Sequence, residues 1–265
     1  MNRIAEAFRN HKAFIAFITV GDPDLEATEQ IVRAAVEGGA DLIELGIPFS
    51  DPTAEGPVIM HADQVALEAG TTTDKVFALT KRLRETVTVP MVYMTYANVV
   101  FSYGTEKFAV RAAEAGIDGV ILPDVPYEEK EEFDGVFSRY GIDLISMIAP
   151  TSENRITRIA GEAKGFVYMV SSLGVTGTRS EITTDIGAMT ALVRKAAKVP
   201  CAVGFGIQTP EQAAKMASLS DGAIVGSAII KIIDQYGREA APHVRAYVQS
   251  MADAVHAVTD TVRQS

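Results

Sequence analysis

Short apolar runs, each closed by turn-forming residues, alternate along this chain with segments whose apolar positions recur at helical spacing. Asn2 to Arg9 predicts a short helix, and Phe14 to Val20 (FIAFITV) a strand ended by Gly21-Asp22-Pro23. Leu25, Ile31, Val32, Ala35 and Val36 then mark a helix over Asp24 to Gly38. Further strands are predicted at Asp41 to Gly46, Met91 to Tyr96, Gly119 to Leu122 and Asp143 to Ile148. Phe166 to Val170, Cys201 to Gly204 and Ala223 to Val225 complete the set. Helical segments fall between them, at Ile59 to Ala69, Thr73 to Thr86, Thr105 to Ala115, up to Tyr140, Glu153 to Glu162, Asp185 to Ala197 and after the cap Thr209. One long helix is expected at the end, to about Val262. Eight strands alternating with helices in 265 residues predict one α/β domain over 1–265, a (β/α)8 TIM barrel with an extra N-terminal helix.

An internal repeat supports the barrel. Glu37-Gly38-Gly39-Ala40-Asp41 precedes the second strand and Glu114-Ala115-Gly116-Ile117-Asp118 the fourth, with a looser Ser218 to Asp221 before the eighth. Aligning the three aspartates sets Glu44 opposite Ile121 and Ile224, so its slot is apolar in the sister units. Strand parity places Leu42, Glu44 and Gly46 on one face and Ile43 and Leu45 on the other. With Ile43 and Leu45 against helices, Glu44 points into the barrel near the C-terminal end, where such barrels carry their chemistry. A structural ion pair is the bland reading of that carboxylate. The loop that follows, IPFSDPTAEGP, adds the acids Asp51 and Glu55.

Composition narrows the function class. A formal net charge of −10 argues against a nucleic-acid partner. Cys201 is the only cysteine, so neither an intrachain disulfide nor a cysteine metal cluster is available. No secretory signal and no apolar run of membrane-spanning length is found, and a cytoplasmic enzyme is expected. The four histidines, His11, His61, His243 and His256, lie in helices or their flanks, away from where a barrel metal would be held, so surface or packing roles are expected and no metal.

Glycine-rich turns end the last three strands: Gly174-Val175-Thr176-Gly177, Gly204-Phe205-Gly206 and Gly226-Ser227. Turns of this kind with a helix N-terminus form the phosphate cradle common in barrels, although glycine also ends strands for steric reasons. No lysine lies in or at the end of a predicted strand, which removes a Schiff-base nucleophile. Carboxylates, tyrosines and hydroxyls remain at the mouth, suited to acid–base chemistry on a phosphorylated small molecule.

ELGIPFSDPTAEGP, FITVGDP, YAN at Tyr96 to Asn98, PDVP at Pro123 to Pro126, GVTG, GFGI and GSAI together resemble the tryptophan synthase alpha subunit, over essentially the whole chain from Phe14. The resemblance implies cofactor-free, metal-free retro-aldol cleavage of indole-3-glycerol phosphate to indole and glyceraldehyde 3-phosphate. Glu44 matches the family's catalytic general acid and base. Glu55 stands where the family usually has aspartate, here AEG for ADG, hydrogen-bonding the indole N–H. By the same matching Gly177, Phe205, Gly206, Gly226 and Ser227 hold the phosphate, and Phe17, Tyr96, Ile121 and Tyr168 line the indole pocket. Thr176 and Asp51 lie on loops that close over the substrate. A partner is also implied, the pyridoxal phosphate-dependent beta subunit, in a heterotetramer of two alpha and two beta chains, docked partly through Pro48 and the Phe49 to Pro57 loop. Two alternatives stay open: a phosphosugar isomerase or epimerase on the same barrel, and a weakly catalytic barrel acting mainly as activator of its beta partner.

Overall fold

The computed structural model describes residues 3–170, 185–204 and 206–259. Among them eight parallel strands close into a barrel in chain order, β8 returning to β1. The strands are β1 (Ala13–Thr19), β2 (Leu42–Gly46), β3 (Met91–Met94), β4 (Gly119–Ile121), β5 (Asp143–Ile148), β6 (Lys164–Val170), β7 (Cys201–Gly204) and β8 (Gly222–Val225). The helices around them are α1 (Arg3–Ala7), α2 (Leu25–Glu37), α3 (Pro57–Glu68), α4 (Thr73–Arg84), α5 (Ala97–Tyr103) and α6 (Thr105–Ala115). They continue as α7 (Glu131–Arg139), α8 (Glu153–Gly161), α9 (Ile186–Ala196), α10 (Pro210–Leu219), α11 (Ser227–Tyr236) and α12 (Ala240–His256). The TIM barrel and its extra N-terminal helix are therefore present. Ile4 and Phe8 are buried, with Phe8 against Phe166 (ring centroids 5.8 Å apart), so the helix covers the N-terminal end of the barrel.

Two expectations need correction. The single long final helix is broken: α11 ends at Gly237, whose φ of 54° and ψ of −127° no helix can contain, and a short 3-10 turn redirects the chain into α12. The segment after β3 is helical, which its β-branched text Asn98-Val99-Val100-Phe101 conceals. Its first N–H, on Ala97, is held by both carboxylate oxygens of Asp124, at 3.1 Å each, from the loop after β4. Tertiary capping overrides local propensity here.

Register fixes what faces inward. Glu44 pairs with Phe17 on one side and Val92 on the other, and Gly46 with Thr19 and Met94. A Cβ on Gly46 would come within 2.7 Å of the Phe17 ring, and one on Gly204 within 2.6 Å of the Tyr168 hydroxyl. Both glycines thus make room for inward-pointing aromatics. Ile43 and Leu45, fully buried, take the helix-facing side of β2.

The repeat is structural. Asp41 accepts the Phe14 N–H at 2.7 Å and returns its own N–H to the Phe14 carbonyl at 2.9 Å. Asp118 does the same with Met91, at 3.0 and 2.9 Å, and Asp221 with Cys201, at 3.0 and 2.8 Å. Each clamp ties the N-terminal ends of two neighbouring strands. Asp118 is neutralised by Arg3 and Arg84, and Asp221 by Arg194 and Lys12. Asp41 instead faces His11 and His256.

Candidate active site

β2 delivers Glu44 to the barrel interior by parity alone. The residue has no exposure, and among the described residues neither carboxylate oxygen has a hydrogen-bond partner. A buried carboxylate without a partner is costly, so the proton is retained: burial pushes Glu44 up to about 8. At neutral pH the carboxyl is therefore held mainly in its protonated form. Across from it Tyr168 is held well above the usual phenol range, first by burial and then by the Glu44 carboxyl.

The loop after β2 folds back over this end and buries Glu55 to 9% exposure. Tyr96 anchors it. Its hydroxyl accepts the Ala54 N–H at 3.0 Å and donates to the Glu55 carboxylate, while Phe49 packs on its ring with centroids 5.1 Å apart. Burial raises Glu55 to about 7, the Tyr96 hydrogen bond opposes the rise, and Asp124 adds to it. One Glu55 oxygen, Oε2, has no partner among the described residues. Behind the loop, on α3, Asp63 is buried and takes the Phe49 N–H; burial and then Glu55 push it up to about 8. Asp22, within the turn between β1 and α2, is raised to about 6 by burial and by Asp234.

Beside Glu55 lies a cleft of about 690 Å³, solvent-open mouth included; Glu44 does not line it but is enclosed behind it, next to Phe17 and Tyr168. Phe17, Tyr168, Met94 and Ile224 supply apolar walls, and Ala54 and Glu55 one rim. Gly206, Gly226 and Ser227 supply the opposite rim, where α11 begins with Gly226 as its N-cap. Gly206 has a φ of 77°, and a side chain added there would project into open space. Free N–H groups at the first turn of a ten-residue helix, a serine hydroxyl and an open glycine backbone make a site for an anion. Lys231 also lines the cleft.

The structure thus brings Phe17, Glu55, Tyr168, Gly206, Gly226 and Ser227 to one cleft, with Tyr96 touching it through Glu55. Ile121 is fully enclosed on β4 beside Met94, and Met94 rather than Ile121 lines the cleft there. Asp51 is on the loop surface, within 2.5 Å of the Ser50 hydroxyl, and does not line the cleft. Thr176, Gly177 and Phe205 lie outside the described residues. Sequence reasoning missed Lys231, Asp63 and Gln208. For Lys231 a signal existed, since it stands four residues after Ser227 and so on the same helical face. Asp63 carries no such signal: it is buried only because the loop folds over α3.

Residues 4–258 match the family model for the tryptophan synthase alpha chain. The tryptophan synthase alpha chain of Lactiplantibacillus plantarum is 47% identical over 264 residues, covering 99% of this chain and 100% of the relative. A crystal structure of tryptophan synthase subunit alpha from Legionella pneumophila superposes with a TM-score of 0.86 at 36% identity, covering 97% of this chain and 100% of that one. A chain from the tryptophan synthase complex of Pyrococcus furiosus superposes with a TM-score of 0.83 at 32% identity, covering 92% and 100%. Motifs, barrel and near-complete alignment agree, and the chain belongs to the tryptophan synthase alpha chain family, lyases that cleave indole-3-glycerol phosphate.

Proposed function

We propose that Glu44 and Glu55 divide the proton transfers of indole-3-glycerol phosphate cleavage between them. The observation that carries this reading is a buried, protonatable Glu55 on the rim of one apolar cleft, with the second buried carboxyl, Glu44, enclosed behind its Phe17 and Tyr168 walls and a helix start suited to an anion on the far rim. The indole ring lies between Phe17, Tyr168 and the neighbouring apolar wall. The phosphate sits at Gly206, Gly226 and Ser227, with Gly177 and the Phe205 N–H as further donors. Neutral Glu44 delivers its proton to indole C3 while Glu55, ionised, accepts the ring N–H proton, giving the non-aromatic tautomer. Glu44, now a carboxylate, takes the proton of the side-chain hydroxyl next to the scissile bond. The carbon–carbon electrons return to the ring, Glu55 reprotonates its nitrogen, and indole and glyceraldehyde 3-phosphate separate. A Glu44 that titrates near 8 and a Glu55 near 7 can each run in both directions close to neutral pH. Thr176 and Asp51 belong to the loops that close over the substrate and exclude water.

The chain works with a beta subunit as partner, as in the complex solved for the Pyrococcus relative. The finer reading is a heterotetramer of two alpha and two pyridoxal phosphate-dependent beta chains in the cytoplasm. Pro48 and the Phe49 to Pro57 loop form part of the docking face, so partner contact acts directly on the segment carrying Glu55. Among the described residues no helix is long and apolar enough to cross a membrane. The deciding experiment follows indole and glyceraldehyde 3-phosphate release by the purified chain, alone and titrated with beta subunit. Turnover alone that rises on titration supports the reading. Absence of cleavage at saturating beta subunit refutes it, and cleavage that never responds to beta subunit refutes the docking role.

A further inference from the structure

Opposite the active-site cleft, at the N-terminal end of the barrel, three residues from distant parts of the chain meet. His11 precedes β1, Asp41 opens into β2 and His256 closes α12. The His256 Nε2 is 2.8 Å from Asp41 Oδ2, the His11 Nε2 is 3.6 Å from Asp41 Oδ1, and the two imidazole centroids are 4.2 Å apart. One ligand atom from each lies within 4.8 Å of the others.

The surrounding hydrogen bonds orient these atoms. His11 Nδ1 is 3.1 Å from the Lys12 carbonyl oxygen, and a ring nitrogen facing a carbonyl carries the hydrogen. Its lone pair therefore resides on Nε2, toward Asp41. Asp41 is itself fixed by the Phe14 N–H at 2.7 Å. A backbone carbonyl behind an imidazole and an N–H behind a carboxylate are the supports that hold metal ligands in place. The equivalent aspartates of the repeat, Asp118 and Asp221, meet arginine and lysine, which hold a fixed charge and have no lone pair to give. Asp221 also has the buried Cys201 Sγ at 3.5 Å, a single donor group beside two cations, whereas Asp41 faces two donor groups and no cationic arginine or lysine among the described residues.

We propose that His11, Asp41 and His256 form a binding site for a borderline divalent transition metal, represented by Zn²⁺. Both Nε2 atoms and the Asp41 carboxylate serve as ligands and solvent completes a tetrahedron. At metal–ligand distances of about 2.0–2.1 Å the ligand atoms must lie roughly 3.3 Å apart. His11, whose side chain is 38% exposed, has the freedom to close that gap. Binding at His256 Nε2 displaces the hydrogen shared with Asp41: a neutral ring carries its hydrogen on Nδ1 instead, with no net release, and a doubly protonated ring gives one proton to solvent. The ion would pin the start of β1, the start of β2 and the end of α12 together, a structural role apart from the lyase chemistry.

The test uses the full chain stripped with chelator, titrated with ZnCl₂ by calorimetry and thermal unfolding, with MgCl₂ as the hard-cation control. One equivalent of Zn²⁺ should bind, and at about 100 times Kd the Tm should rise by roughly 5 °C. His11→Asn and His256→Gln should each weaken binding about 10-fold or more and abolish the rise, while His61→Asn with His243→Asn should leave it intact. Since His256→Gln also removes a hydrogen bond, the metal-dependent difference is what counts. The visible absorption of added Co²⁺ supplies a readout independent of stability, and it should vanish in His11→Asn. No Zn²⁺-dependent rise, an equal rise with Mg²⁺, or binding that survives His11→Asn as an adventitious ion only would each overturn the site.

Discussion

Replacing Glu44 by glutamine should set activity and stability moving in opposite directions. The carboxyl is buried, both oxygens are without partners among the described residues, and burial raises it from 4.5 to about 8. In the unfolded chain it ionises near its ordinary value, so from pH 4.5 upward unfolding releases a proton that the folded state keeps. The folded protein loses about 1.4 kcal/mol per pH unit over that window, a ceiling of ~3 kcal/mol at pH 7. Below pH 4.5 both states are protonated and nothing is lost; above about 8 the loss levels off. Glutamine does not titrate, so the variant should gain on wild type as pH rises from 5 to 8. At pH 7 the gain should be several degrees in Tm, less whatever the buried amide costs. Cleavage of indole-3-glycerol phosphate should meanwhile fall about 10²–10⁴-fold, as when a general acid–base is lost. Its kcat/KM profile should also lose the limb near pH 8. The assays are thermal unfolding of both proteins at pH 5, 6, 7 and 8, and indole release with beta subunit present. Activity within threefold of wild type, or a Tm difference that does not change between pH 5 and 8, would refute the reasoning.

Glu55→Asp draws the carboxylate back by about 1.5 Å, away from the Tyr96 hydroxyl. A displacement near 1 Å can cost on the order of 100-fold in kcat/KM, so Glu55→Asp should be slower than wild type and Glu55→Ala slower still. Wild-type cleavage by Glu55→Ala in the beta complex would remove Glu55 from the mechanism. Lys231→Met removes an exposed charge at the anion rim and should weaken glycerol 3-phosphate binding a few-fold. Gly226→Val puts side-chain atoms into that rim, 3.4 Å from Phe17 at the Cβ, and should weaken binding of the same ligand far more. Equilibrium dialysis with glycerol 3-phosphate checks both, and unchanged affinity in the two variants would place the phosphate elsewhere.

Much of the barrel was legible because its signals are local. Alternation along Leu42 to Gly46 was enough to aim Glu44 inward, and the aspartate repeat marked where strands begin. Glu55 came from family resemblance, since nothing in TAEG by itself says that the loop folds inward. What remained hidden depends on contacts between distant segments. Asp63 is buried by a loop lying over its helix, α5 is capped by Asp124 from the next unit, and His11 meets His256 across the whole chain. The break at Gly237 was hidden differently, because glycine within an apolar helical text is tolerated as often as it terminates.

The aspartate clamps also divide the barrel unevenly in its resistance to opening. β1 with β2, β3 with β4 and β7 with β8 are each locked at the N-terminal end by a two-way backbone and carboxylate contact. β5 and β6 instead change register between Ile145 and Ser146. A closed sheet has no edge from which to fray, so fluctuation must begin at an unclamped seam, and β5 has this irregular one on one side and only two paired positions, with Gly119 and Val120 of β4, on the other. Amide hydrogens along β5 and β6 should exchange with solvent ahead of those in the clamped pairs. The barrel then breathes from one side, with β1 and β2, the strands that carry Phe17 and Glu44, among the last to open.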